Sequence, residues 1–102
     1  MVNSASTDGD LLISAVKSKD VWLSLMHVRQ FKESMYDKTV GAEYVLWITE
    51  PANLIRVHKA LTDDMNVPPR LLSIRRLNST RTQKALMLIL AIERAIEKVY
   101  NV

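Results

Sequence analysis

Eight consecutive residues near the end of the chain, Ala85 to Ile92 (ALMLILAI), carry no polar side chain. The run is far shorter than the ~20 residues a bilayer span needs. As two turns of helix it is apolar on every face, and such a helix must be enclosed by protein. The segment therefore predicts a helix at the centre of a core. Thr80 and Gln83 stand at the capping-box spacing, which satisfies backbone N–H groups at a helix start. Glu93, Arg94, Glu97 and Lys98 return the last turns to solvent, so the helix is expected over 80–100. Glu93–Glu97 and Arg94–Lys98 are like-charge pairs at i, i+4, so Glu97 is expected to turn to Arg94 at i−3.

The rest of the chain supplies what must surround that helix. Leu11–Ala15 and Leu12–Val16 make an apolar stripe over 11–18, capped by Asp8 or Asp10, with residues 1–7 expected to be frayed. After Asp20, apolar residues at 21, 25, 28, 31 and 35 follow helical spacing and predict a helix over 20–36. Leu54, Val57, His58 and Leu61 predict another over 50–63, with Thr49 as its cap and Pro51 in its first turn. Gly41 marks a turn. "EYVLWIT" (43–49) reads as a short buried strand by its β-branched and aromatic content, with a buried helix as the alternative. Its only partner would be "LLSIRRL" (71–77), which after Pro68–Pro69 equally suits a short helix. The expected fold is mainly α: one domain, 1–102, packed around a central C-terminal helix, with at most a minor two-stranded β element.

Composition and motifs argue against catalysis. A chain of 102 residues supports one core but leaves little for an enclosed active site. There is no Cys, so thiolate metal sites, Cys nucleophiles and disulfides are excluded. Gly9 and Gly41 stand alone, without a phosphate-binding loop. His27 and His58 fall on different predicted helices with no metal-site spacing, and Asp63–Asp64 read as solvated loop carboxylates. The expectation is no enzyme activity, no cofactor, no metal and no small-molecule substrate. "MVNSASTDGD" has neither the basic start nor the apolar centre of a secretory signal, which points to a soluble cytoplasmic protein without a membrane partner.

Charge is where the sequence becomes specific. Residues 1–64 hold seven Lys/Arg against nine Asp/Glu, and residues 65–102 hold seven against two, so a net of −2 is followed by a net of +5. From 65 to 92 there is no acid at all, and Arg70, Arg75, Arg76, Arg81 and Lys84 all lie in that window. Ordinary solvated faces mix signs, and the planar guanidinium fork of Arg suits phosphate. Arg81 and Lys84 also oppose the dipole at the start of the last helix unless an external anion shares the site. These five residues are the candidate nucleic-acid-binding set, with single-stranded DNA or RNA preferred over duplex. The alternative is a protein-interaction adaptor that docks an acidic partner through the same Arg-rich edge. Trp22 and Trp47 sit in apolar patterns and are expected in the core, leaving Tyr36 and Tyr44 as the freer stacking candidates.

The stretch "RRLNSTRTQKALMLILAIERAIEKVY", a basic approach to a long buried helix in a chain of this size, resembles the small subunit of archaeal type I-A CRISPR surveillance complexes. The resemblance covers the last third of the chain and rests on general character rather than a diagnostic motif. It implies a non-enzymatic, mainly helical subunit that packs beside other protein subunits along a ribonucleoprotein backbone. Such a subunit helps to hold the target or displaced strand in antiviral defence. Arg75, Arg76, Arg81 and Lys84 would form its nucleic-acid face.

Overall fold

The structure, a computed structural model, describes residues 4–75 and 78–102. Five α-helices follow one another: α1 (Ser4–Lys17), α2 (Val21–Met35), α3 (Gly41–Thr49), α4 (Pro51–Asp64) and α5 (Arg81–Tyr100). A 3-10 turn, Pro69–Leu72, lies in the strap between α4 and α5. The helices pack into a body of 33 × 32 × 24 Å.

α2, α4 and α5 begin and end close to where the spacing places them. Asp20 caps α2 by accepting the Leu23 N–H at 2.9 Å, and Leu25, Val28, Phe31 and Met35 are buried. Pro51 occupies the first turn of α4. Thr80 and Gln83 form the capping box in both directions, at 3.1 and 2.9 Å. Asp63 and Asp64 belong to the last turn of α4 rather than to a loop. After α4, Asn66 adopts the left-handed backbone that Asn tolerates, and the Val67 N–H reaches back to the Leu61 carbonyl at 3.0 Å. This closes the helix and sends the chain into the strap.

Further expectations are corrected. α1 starts at Ser4, ahead of both proposed caps, because Ala5 and Gly9 are buried against the rest of the fold. Asp8 and Asp10 lie inside the helix; Asp8 accepts the Tyr44 hydroxyl, and Asp10 pairs with Arg56 of α4 at 2.9 Å.

Residues 43–49 form helix, not strand, and no strand occurs among the described residues. Tyr44, Val45 and Ile48 bury one helical face while Leu46 stays exposed. The expected partner segment, as far as it is described, makes the 3-10 turn and then irregular backbone; Leu77 lies outside the described residues. Thr49 closes α3 instead of capping α4. Its hydroxyl donates to the Val45 carbonyl at 2.6 Å, and Glu50 takes the cap position without a side-chain bond.

A further correction concerns α5, whose backbone lies close against α2, α3 and the strap but, among the described residues, not against α1 or α4. Ala85, Leu88, Ile89 and Ile92 are buried, whereas Leu86, Met87, Leu90 and Ala91 remain half-buried along an outer side. The central position belongs to α3, which packs on all four of the other α-helices.

Both glycines owe their place to close approach rather than to a turn angle. Gly41 has no positive φ; it opens α3, where a Cβ would lie 2.5 Å from the Met35 carbonyl oxygen. Gly9 sits mid-helix, and a Cβ there would overlap the Trp47 ring. That indole lies 5.6 Å from Phe31, whose ring meets Tyr44 edge-on at 4.9 Å. Burial, helped by the hydrogen bond to Asp8, raises the Tyr44 hydroxyl above its ordinary pKa and keeps it a donor.

α2 and α5 are joined by charge. Glu93 accepts from Arg29 Nε at 2.9 Å and from Lys32 Nζ at 2.6 Å, and Glu97 accepts from Arg29 at 3.0 Å rather than from Arg94. Burial pushes the Glu93 carboxyl up, but the hydrogen bonds from Lys32 and Arg29 outweigh it and hold the group below the ordinary glutamate range.

Two outcomes follow from this packing. Gly9→Ala adds a good helix former worth ~1 kcal/mol in an open helix, yet overlap with Trp47 should turn that gain into a net loss of ~1–2 kcal/mol. Urea midpoints check this, and a gain in stability would mean that the indole moves freely aside. Glu93→Gln should cost about 1 kcal/mol at pH 7, the charged hydrogen bonds being screened where Arg29 is exposed. A depressed carboxyl stabilises above its unfolded pKa of ~4.3, and that contribution is lost as pH falls through the lower folded value. The gap between parent and variant should therefore close in unfolding curves recorded at successively lower pH below ~4.

Candidate nucleic-acid interface

The strap is held inward by apolar side chains and presents Arg70 and Arg75 outward. Met65, Val67 and Leu72 are buried, and Leu71 and Ile74 pack half-buried against the core. Arg70 and Arg75 are exposed between and beside them. The alternation leaves a guanidinium little choice, since a buried unpaired charge costs far more than an exposed one. Arg76 lies outside the described residues.

Arg81 and Lys84 occupy the first turn of α5, and both are exposed. Arg81 is also anchored: its Nε donates to Thr49 Oγ1 at 2.6 Å, tying the start of α5 to the end of α3. Lys84 has no carboxylate partner among the described residues, and the same holds for Arg70, Arg75 and Arg81. The acids that do form ion pairs serve α2 and α4, through Arg29, Lys32 and Arg56. Arg29, Lys32 and Arg56 are thus neutralised, whereas the described cations of the acid-free window, like Lys17, Lys19, Lys38 and Lys59, have no carboxylate partner among the described residues.

Beside Lys84 runs an open groove of about 590 Å³ between α4, the strap and the start of α5. Pro51, Leu54, Ile55, Pro69 and Leu72 make its aliphatic lining, and Lys59 and Lys84 supply its charge, with no acid among the residues that line it. Arg70 stands in the chain between two of the lining residues, Pro69 and Leu72. His58 also lines the groove, and its Nε2 is buried without a hydrogen-bond partner. Burial lowers the imidazole pKa, favouring the neutral ring. The groove was not legible in the sequence, because its walls come from separated segments and only the apolar Ile55 and the cation Lys59 hinted at it locally.

The aromatic expectations divide. Trp47 is in the core at 7% exposure, but Trp22 is 63% exposed at the start of α2. Tyr36 is exposed, whereas Tyr44 is buried and bonded to Asp8. Trp22 lies toward the far end of α5 from Arg81, because α2 and α5 run antiparallel, with Arg29 opposite Glu97 and Lys32 opposite Glu93. Trp22 is therefore not brought to the start of α5.

No group of three or more His, Asp or Glu residues able to hold a metal occurs among the described residues. Among them, too, no helix is long and apolar enough to cross a membrane. No family model matches the chain, and no curated protein or solved structure matches it.

Proposed function

We propose that the chain is a non-enzymatic nucleic-acid-binding subunit of a cytoplasmic ribonucleoprotein complex of the CRISPR antiviral-defence kind. It contacts the phosphate backbone through the strap and the start of α5. One observation carries this: Arg70, Arg75, Arg81 and Lys84 are all exposed on a stretch, residues 65–92, that holds no acid, and none is paired to a carboxylate among the described residues. Such a patch suits a polyanion whose binding releases counterions. The choice of complex rests on the resemblance of the last third of the sequence. Single strands are the preferred form, and other protein subunits share the assembly.

The aliphatic groove favours a second function, an adaptor that docks an acidic partner. Lys59 and Lys84 would meet carboxylates while Leu54, Ile55 and Leu72 take apolar side chains, the way an amphipathic helix lies in a groove.

Salt separates the two. Electrophoretic shift with single- and double-stranded DNA and RNA at several salt concentrations should show binding that falls steeply with salt. Replacing Arg75 and Lys84 together by Ala should lower the slope of log affinity against log salt by ~1.4 for a single strand or ~1.8 for a duplex. It should weaken all sequences alike and leave the melting temperature almost unchanged, since both side chains are exposed. Arg81 is a poorer choice because its loss also frees Thr49. If the parent protein shifts no nucleic acid at low salt, even with partner subunits present, the adaptor takes the place of the nucleic-acid function.

A further inference from the structure

α5 sorts its charges by side. At 3.6 residues per turn, Lys84, Arg94 and Lys98 fall within an arc of roughly 80°, and the arc of Glu93 and Glu97 is centred about 120° away. The acids are taken up by Arg29 and Lys32 of α2. Arg94 and Lys98 are exposed and, among the described residues, have no carboxylate partner. Between Lys84 and Arg94 the same arc carries Met87 and Ala91, so no acid interrupts it.

The strap runs alongside. Leu71 lies with Ala91, Arg94, Ala95 and Lys98 around a shallow cleft of about 230 Å³, which brings the Arg70 segment beside the distal part of the stripe. The strap, through Leu71, therefore borders the surface on which Arg94 and Lys98 stand.

Resting on the nucleic-acid function proposed above, we infer that the anion track does not stop at the start of α5 but continues along its outer side, with Arg94 and Lys98 as further phosphate contacts. From Lys84 to Lys98 the helix rises about 21 Å. Over that length a strand of B-form duplex, which turns once in about 34 Å, swings more than half-way around its axis and leaves the line. A single strand can follow it. The arc carries no aromatic side chain, so contacts along it position the backbone without stacking the bases.

The test uses the full chain with a thymidine 20-mer, a uridine 20-mer and a mixed-sequence 20-base-pair DNA duplex, with affinity read by fluorescence anisotropy across a salt series. An Arg94→Gln/Lys98→Gln variant should lose ~1.4 from the salt slope on the single strands. A Lys19→Gln/Lys38→Gln control removes the same charge from exposed positions elsewhere and should keep the parent slope. Equal slopes for the Arg94/Lys98 variant and the parent would overturn the track and leave the phosphate edge at Arg75 and Lys84 standing. An equal loss in the control would overturn it too, reducing the effect to net charge. Tighter binding of the duplex than of either single strand would overturn the single-strand geometry. A parent protein that binds none of the probes overturns the track together with the function beneath it.

Discussion

Enclosure of α3 is the constraint on which the other contacts depend. This nine-residue helix packs on all four of the other α-helices: Tyr44 donates to Asp8 of α1, and the Trp47 indole rests where Gly9 of α1 lacks a side chain. Phe31 of α2 meets both rings. Asn53 of α4 donates to the Trp47 carbonyl at 3.1 Å, and Arg81 of α5 to the Thr49 hydroxyl. A helix this short has little stability of its own. Its conformation is set by four neighbours that are themselves positioned by closing around it.

Charge follows from the same arrangement. With α3 inside, α5 is left on a flank, and a flank helix has one side against protein and one against water. The two acids of α5 fall on the side that meets Arg29 and Lys32, Lys84, Arg94 and Lys98 lie about 120° further round, and Arg81 is tied to Thr49 of α3. The strap then crosses from α4 to α5 over surface that α3 does not fill, burying Val67 and Leu72 and keeping Arg70 and Arg75 outside. The basic edge is thus a by-product of where the apolar side chains had to go, and it needs no charged residue in the interior.

The parts legible from sequence were those whose signals are local. Asp20, Pro51 and the Thr80–Gln83 box act within one turn, and the spacing of Leu25, Val28, Phe31 and Met35 is a property of one helix. α3 was not legible because Tyr44, Val45, Trp47 and Ile48 favour extended backbone locally and become helical only through contacts 30 to 40 positions away. The start of α1 was missed for the same reason: a polar, Gly-containing segment gives no periodic signal, and Ala5 and Gly9 matter because of Trp47. For the basic edge, the acid-free window picked out five cations, and the four that are described are exposed. The sequence could not show that Arg81 is tied to Thr49, that Glu97 turns from Arg94 to Arg29, or that Trp22 is outside while Trp47 is inside.

The ambiguity of α3 is also a physical property of the folded chain. Residues 44–49, YVLWIT, are uncharged, lack Pro and Gly, and combine β-branched with aromatic side chains, the composition of segments that stack into cross-β assemblies. In the native fold this segment is helical and packed against both α1 and α5. Undocking of either helix exposes part of an uncharged hexapeptide of this composition, so the contacts that hold α1 and α5 on α3 also guard the segment against cross-β association.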